Sequence, residues 1–294
     1  MGISLLKLSD IIKLMRPHQY IKNLFIFLPL FFSMKIMDID LLVNTCLAFI
    51  SFSLIASAVY IMNDYFDIES DKLHPSKCTR PLVSGSVSKS EAIITTLLLL
   101  VLGSMMMYYL SMKAFFILLV YVLINILYSL YLKHIAILDV VTIAIGFVLR
   151  IFVGTSVTML NASKWIVVMT FLLALFLALA KRRDDVLLFN KTGQKMRKVI
   201  DGYNLNFVDK AMTLMAGIVI VSYLMYCVSP EVILRTGSDK LYLTLIYVII
   251  GIMRYMQITF VEESSESPTK ILIQDKMMQV IIILWIITFG IILY

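Results

Sequence analysis

Four residues within one short stretch have the types and spacing to do chemistry. Asn63, Asp64, Asp67 and Asp71 lie in YIMNDYFDIESDKLHPSKCTRPLVSGS, residues 60–86. On a helix turning ~100° per residue they fall within one arc of roughly 100°, while Glu69 points the other way. Carboxylates gathered on one face repel, and each raises its neighbours' pKa unless a cation is shared. A hard divalent cation such as Mg²⁺ relieves that repulsion, taking one or two carboxylates and completing its shell with waters and substrate phosphates. Lys72, Lys77 and Arg80 follow, as an anionic substrate would require. The expected metal set is Asn63, Asp64, Asp67 and Asp71, with the three aspartates catalytic. A solvated helix end carrying ordinary surface charge is the plainer alternative, and confinement of the acids to one side counts against it.

Two further clusters carry charge next to apolar runs. In YSLYLKHIAILDVVTIAIGFVLR, residues 128–150, Asp139, Gly146 and Arg150 share one helix face. Arg150 lies ~16 Å along the axis from Asp139, too far to pair with it. A cation at that depth is costly unless it meets an interior cavity or a partner. Arg150 is therefore either a ligand for an anion or a structural arginine bonded to backbone carbonyls or to an acid on another helix. Lys133 and Arg150 are the expected phosphate-holding residues, with Lys133 counted as catalytic and Tyr128 as a hydrogen-bond donor. His134 reads as interfacial. In ALAKRRDDV, residues 178–186, the run Lys181, Arg182, Arg183 precedes Asp184 and Asp185. Such a run alone marks topology. Beside two other charged span ends it suits a polyanion held by metal and cations. The early RPHQYIKN adds Arg16, Lys22 and Asn23, either as an interfacial anchor or as substrate contacts. The expected substrate-binding residues are Lys22, Asn23, Lys77, Arg80, Tyr128, Asp139, Arg150, Lys181 and Arg182.

The elements that must position these residues are membrane helices. Hydrophobic residues make up 61% of the chain and charged residues 15%, with a mean hydropathy of +0.93. That excludes an ordinary soluble domain and predicts an all-α polytopic membrane protein. About nine spans are expected, at 20–37, 40–62, 91–110, 114–133, 137–158, 164–181, 210–230, 240–260 and 277–294. Residues 1–15 read as an amphipathic interfacial segment. The chain is expected to be one integral membrane domain over 1–294, with loops at 63–90, 133–139, 181–209 and 261–276 on one side. Of the 26 Lys and Arg residues, twenty fall on the side of the N-terminus and these loops and five on the other. The positive-inside rule then places the N-terminus and the charged motifs in the cytoplasm. The net charge of +7 reports sidedness rather than nucleic-acid binding. Cys46, Cys78 and Cys227 have no metal-ligand spacing and suggest no disulfide framework. No cleavable signal peptide, phosphate-binding Gly-rich loop, HExxH or nucleophile elbow is expected.

NDYFDIESD resembles the first aspartate-rich motif, NDxxDxxxD, of UbiA-type intramembrane prenyltransferases. That superfamily's second motif, DxxxD after the sixth span, is replaced here by KRRDDV. A subgroup fits better. RPHQYIKNLFIFLPL, NDYFDIESDKLHPSKCTRPLVSG, YSLYLKHIAILDVVTIAIGFVLR, ALAKRRDD and the late RYMQ and SPTKILIQD are similar to decaprenyl-phosphate phosphoribosyltransferases. The resemblance touches five places spread over nearly the whole chain. It matches Lys181, Arg182 and Asp185 to that family's KRxxE-like element.

The resemblance implies a UbiA-like helix bundle with a cytoplasm-facing cavity in a bacterial inner membrane, and Mg²⁺ as cofactor. It implies transfer of 5-phosphoribose from phosphoribosyl pyrophosphate to a polyprenyl phosphate, releasing pyrophosphate. These two substrates and the membrane are the expected partners, nucleic acid is not, and a homo-oligomer is left open. An ordinary UbiA-type prenyltransferase acting on an aromatic or quinone-precursor acceptor is the alternative. A transporter or channel would leave the acidic face unexplained.

Overall fold

The computed structural model describes residues 5–72, 77–193, 195, 198–263 and 268–293. Residues 1–4 of the amphipathic segment and parts of three expected loops (73–76, 194 with 196–197, and 264–267) lie outside the described residues. Every regular element among the described residues is helical. Among the described residues, eight stretches are long and apolar enough to cross a membrane. The chain opens with α1 (Leu5–Met15), a 3₁₀ helix (Pro17–Phe27) and α2 (Leu28–Phe32). The long α3 (Ile39–Phe66) leads to the short α4 (Ile68–Lys72) and α5 (Pro81–Ser84). Then come α6 (Lys89–Leu110), α7 (Met112–Leu130), α8 (Leu138–Thr158), α9 (Lys164–Thr192) and α10 (Leu205–Val228). The last elements are α11 (Pro230–Thr236), a 3₁₀ turn (Lys240–Thr244), α12 (Leu245–Phe260), α13 (Pro268–Gln274) and α14 (Lys276–Leu293).

Two features differ from the sequence reading. The expected first span at 20–37 is instead the 3₁₀ segment followed by the five residues of α2. Pro29 has no amide hydrogen, so an unbroken α-ladder cannot run through it, and Met34 at φ 57 ends the segment. The second difference is that α9 continues past residue 181 to Thr192, so KRRDDV lies on a helix rather than in a loop. The helix stops at Gly193, whose φ of 68 suits a left-handed cap.

The chain forms two compact units. The first comprises residues 1–133 and 149–161, the second 134–148 and 162–294, so α8 contributes to both. In the first unit α3 is the central helix and buries small residues, including Ala48, Ser51, Ala56, Ser57 and Ala58. Small side chains let membrane helices approach closely, where dispersion and interhelical hydrogen bonds hold them. Ser51 Oγ donates to the Gly103 carbonyl of α6 at 2.7 Å, and a Cβ on Gly103 would lie 2.8 Å from Ile55. The 3₁₀ segment presses on the end of α8, where a Cβ on Gly154 would lie 2.2 Å from the Ile26 carbonyl oxygen. Asp38 caps α3, Ser111 caps α7, and Ser88 with Glu91 forms a capping box on α6. Leu14 of α1 packs with Ala58, Ile61, Leu82 and Val87 beneath the motif loop.

In the second unit α9 runs against α10, and Phe176, Ala180, Val208, Met212, Ala216 and Tyr255 share one core. Ser163 and Asn204 cap these two helices. Gly202 lies so close to Ala136 that a Cβ would be 2.5 Å from its methyl. Leu97, Leu98, Val101 and Leu102 of α6 are exposed large apolar residues, as expected of a face turned to lipid.

Candidate active site

The aspartate motif sits where α3 ends. Asp67 is the C-cap residue, and the Asp71 amide donates to the Asp67 carbonyl at 2.8 Å, so helical spacing carries on into α4. Asp64 and Asp71 are each 3% exposed and converge on one atom. Arg80 Nη1 donates to Asp64 Oδ1 at 2.9 Å and makes a very short contact to Asp71 Oδ2. Arg16 Nη2 donates to the same Asp64 oxygen at 2.5 Å, and Lys77 Nζ lies 3.5 Å from Asp71. Asp67 turns elsewhere, accepting from Lys133 Nζ at 2.6 Å. The Asn63 side-chain oxygen accepts from Ser129 Oγ at 2.7 Å.

The four expected metal ligands thus divide. Asp64 and Asp71 meet, Asp67 goes to Lys133, and Asn63 goes to Ser129. Among the described residues no three His, Cys, Asp or Glu side chains converge into a ready cage. The donor set nevertheless fits Mg²⁺, which rarely has an all-protein cage and takes one or two carboxylates plus phosphate oxygens. Two carboxylates already share a single guanidinium nitrogen, so one ion can reach both.

Local sequence sets up the basic partners. Pro81 holds Arg80 extended (φ −62, ψ 143), directing it back from the start of α5, and Gly85 at φ 80 turns the chain out again. Arg16 occupies the left-handed region at φ 56 between α1 and the 3₁₀ helix. Its guanidinium lies over the Tyr60 ring at 5.6 Å as well as on Asp64. The sequence reading left Arg16 between an interfacial anchor and a substrate contact and outside the expected site set. An arginine at the junction before Pro17 was the available signal, but its partner stands 48 residues away.

Deeper in the same unit Arg150 is 4% exposed. Its guanidinium lies 4.8 Å from the Phe52 ring centroid and 5.1 Å from that of Tyr121. Its Nε donates to Asn23 Oδ1 at 2.9 Å, and Asn23 donates on to Ser53 at 2.9 Å. The partners of Arg150 therefore include the Asn23 amide and the Phe52 and Tyr121 rings. Lys22 is half-buried within electrostatic reach of Arg150 and Arg16. Tyr128 is half-buried on α7, next to the Ser129 that holds Asn63.

The second unit contains Asp139, Lys181 and Arg182. Asp139 is fully buried and accepts a short hydrogen bond from Arg182 Nε and another, at 2.6 Å, from the Tyr203 hydroxyl. Arg182 also reaches Asp185 at 2.5 Å, and the Ile137 amide donates to Tyr203 at 2.7 Å. Burial first, then the bond to Asp139, keep the Tyr203 hydroxyl protonated well above its ordinary range. Arg183 bonds Asp209 at 2.7 Å and the Thr259 carbonyl at 2.7 Å. Asp139 and Arg182 thus form a buried strut between α8 and α9, while Lys181 is exposed on the same turn. Tyr203 completes the strut, and no local pattern in the sequence marked it.

The chain is similar to known proteins over nearly its whole length. The model of the UbiA prenyltransferase family matches residues 25–290. The chain is 29% identical to a decaprenyl-phosphate phosphoribosyltransferase of Mycolicibacterium smegmatis, over 97% of this chain and 93% of that protein. A decaprenyl-phosphate phosphoribosyltransferase of Corynebacterium glutamicum is 26% identical over 95% of this chain and 85% of that one. Among solved structures, a UbiA homolog from Archaeoglobus fulgidus bound to DMAPP and Mg²⁺ superposes with a TM-score of 0.72 at 22% identity. That match covers 97% of this chain and 99% of the other. Eight apolar spans, an aspartate-rich helix end ringed by cations, and a family match over nearly its whole length make this chain an integral membrane member of the UbiA prenyltransferase family.

Proposed function

We propose that the protein transfers 5-phosphoribose from phosphoribosyl pyrophosphate to a polyprenyl phosphate and releases pyrophosphate. The carrying observation is the surplus of cations in the first unit. Arg16, Lys77, Arg80 and Lys133 surround three carboxylates, and Lys22 and Arg150 add positive charge nearby. A prenyl diphosphate and an aromatic acid bring one diphosphate and one carboxylate, whereas this reaction also brings a 5-phosphate and an acceptor phosphate. The phosphoribosyltransferase names of relatives matching nearly the full length support the same reading.

Asp64 and Asp71 would hold Mg²⁺, with Asp67 and Asn63 at the same helix end. When bound, the ion neutralises charge building on the leaving diphosphate. Arg80, Lys77 and Arg16 line the diphosphate and draw its charge away from ribose C1. Lys133 also contacts the diphosphate, Lys22 holds a remaining phosphate, and Arg150 orients Asn23 beside it. As the C1–O bond to pyrophosphate breaks, a lipid phosphate oxygen bonds to C1 from the opposite face, through an oxocarbenium-like carbon. That oxygen is already anionic near neutral pH, so alignment matters more than a general base. Tyr128 would donate to a substrate oxygen. Asp139 and Arg182 act through their strut within the second unit. The N-terminus and this site would face the cytoplasm of a bacterial inner membrane.

The test is an assay of purified protein with labelled phosphoribosyl pyrophosphate and a polyprenyl phosphate. The expected outcome is a labelled lipid and stoichiometric pyrophosphate, both abolished by EDTA and restored by Mg²⁺. Prenylation of a hydroxybenzoate or naphthoate, with no use of phosphoribosyl pyrophosphate, would overturn the reading in favour of an ordinary prenyltransferase.

A further inference from the structure

Each motif aspartate is already engaged by a basic side chain. Asp64 bears Arg16 and Arg80, Asp71 bears Arg80 and Lys77, and Asp67 bears Lys133. Among the described residues these ion pairs set four cations against three carboxylates, a surplus of one positive charge. The arrangement is also layered. The side chains of Asp64 and Asp71 are 4% exposed, whereas those of Arg16 and Arg80 are 23% and 25% exposed and cover them. An arriving ligand meets guanidinium groups before carboxylates.

A metal ion alone is poorly matched to such a cluster. To reach Asp64 and Asp71 it must displace Arg80 from both, leaving a guanidinium without its counter-ions beside a new dication. Breaking a partly buried pair by removing one partner is costly for that reason. A diphosphate alone finds cations, but the carboxylates beneath them repel it. The two together resolve both problems. The carboxylates pass to the metal and the basic side chains pass to the diphosphate, whose oxygens suit the planar guanidinium fork.

We propose that this is a partner-exchange site, in which metal and diphosphate bind as one unit and Arg16, Arg80 and Lys133 transfer from the aspartates to the diphosphate. This deepens the functional reading above and rests on it, since it requires a diphosphate donor. It also assigns Arg16 to donor binding. The consequence is strong positive coupling, because each ligand removes the penalty facing the other, and the coupling must be reciprocal.

The experiment uses the full-length protein in detergent and inorganic pyrophosphate as the probe. Binding of Mn²⁺ alone is followed by the loss of its free-ion EPR signal. Binding of radiolabelled pyrophosphate is followed by equilibrium dialysis, with Mg²⁺ and with EDTA. The wild type is expected to bind Mn²⁺ alone weakly and to bind pyrophosphate at least about tenfold more tightly with Mg²⁺ than without, within the usual range of coupling. Arg80→Met should bind Mn²⁺ alone more tightly than wild type and pyrophosphate with Mg²⁺ more weakly. Opposite shifts of this kind are not produced by general loss of structure. Arg16→Met and Lys133→Met should move both measurements in the same directions, and they carry the test if Arg80→Met does not fold. Metal binding left unchanged or weakened in all folded variants overturns the exchange, as does pyrophosphate binding in wild type indifferent to Mg²⁺. Either result leaves the diphosphate donor standing. If pyrophosphate binds under neither condition, the donor reading itself falls, and the exchange falls with it.

Discussion

Arg150 shows how one side chain serves through its neighbours. Its guanidinium lies against the Phe52 and Tyr121 rings, and its Nε donates to Asn23, all within the unit that carries the aspartates. A desolvated cation–π contact is worth roughly 2 kcal/mol and a hydrogen bond from a charged group ~1.5–3 kcal/mol. Arg150→Lys keeps the charge but loses the planar face and the Nε donor. It is expected to lower stability by about 2–4 kcal/mol on these grounds. That is readable as a clear drop in thermal midpoint in detergent, together with reduced turnover. An unchanged midpoint with a raised KM for one substrate would instead make Arg150 a direct phosphate ligand.

At the scale of elements, the contact between the 3₁₀ segment and α8 is the most exacting. Gly154 meets the Ile26 carbonyl so closely that any side chain must push the backbones apart. The 3₁₀ segment carries Lys22 and Asn23, and α8 carries Arg150, so the same contact sets the distance between them. Gly154→Ala is expected to cost about 1–3 kcal/mol, as overpacking commonly does, and to weaken activity beyond what the loss of folded protein explains. Gly251→Ala is the control. There a Cβ would meet only Ile281 at 3.6 Å, an ordinary contact, so stability should barely change. Equal effects of the two substitutions would refute the packing argument.

For the whole molecule, the distribution of Lys and Arg makes a topological prediction. In a variant lacking Cys46, Cys78 and Cys227, single cysteines at Ser86 and Gly193 should be protected from an impermeant thiol reagent in intact cells, and one at Gly237 should react. Permeabilising the cells should expose the first two. The reverse pattern would invert the protein and put the aspartates outside, where a cytoplasmic sugar diphosphate could not reach them. Ser86 and Gly193 follow the two charged helix ends, and Gly237 follows α11, so three labels read both faces.

What the sequence determined by itself was whatever depends on near neighbours along the chain. Hydropathy marked nine spans, because a membrane demands about twenty apolar residues in a row, and eight of them correspond to long apolar helices among the described residues. Helical period put Asp64 and Asp71 on one face, because seven residues are close to two turns. The motif's own spelling carried the family. The tertiary structure decided the partners. Asp67 meets Lys133 across 66 residues, and Arg150 meets Asn23 across 127. It bonded Arg16 to Asp64 and turned Arg182 into a buried strut with Asp139 and Tyr203. It also divided the expected ligand set, sending Asn63 to Ser129 and Asp67 to Lys133. Such pairings depend on which helices pack together and in what register. Register is set where backbones can come close, as at Gly103, Gly154 and Gly202, and no local count of charge or hydropathy contains it.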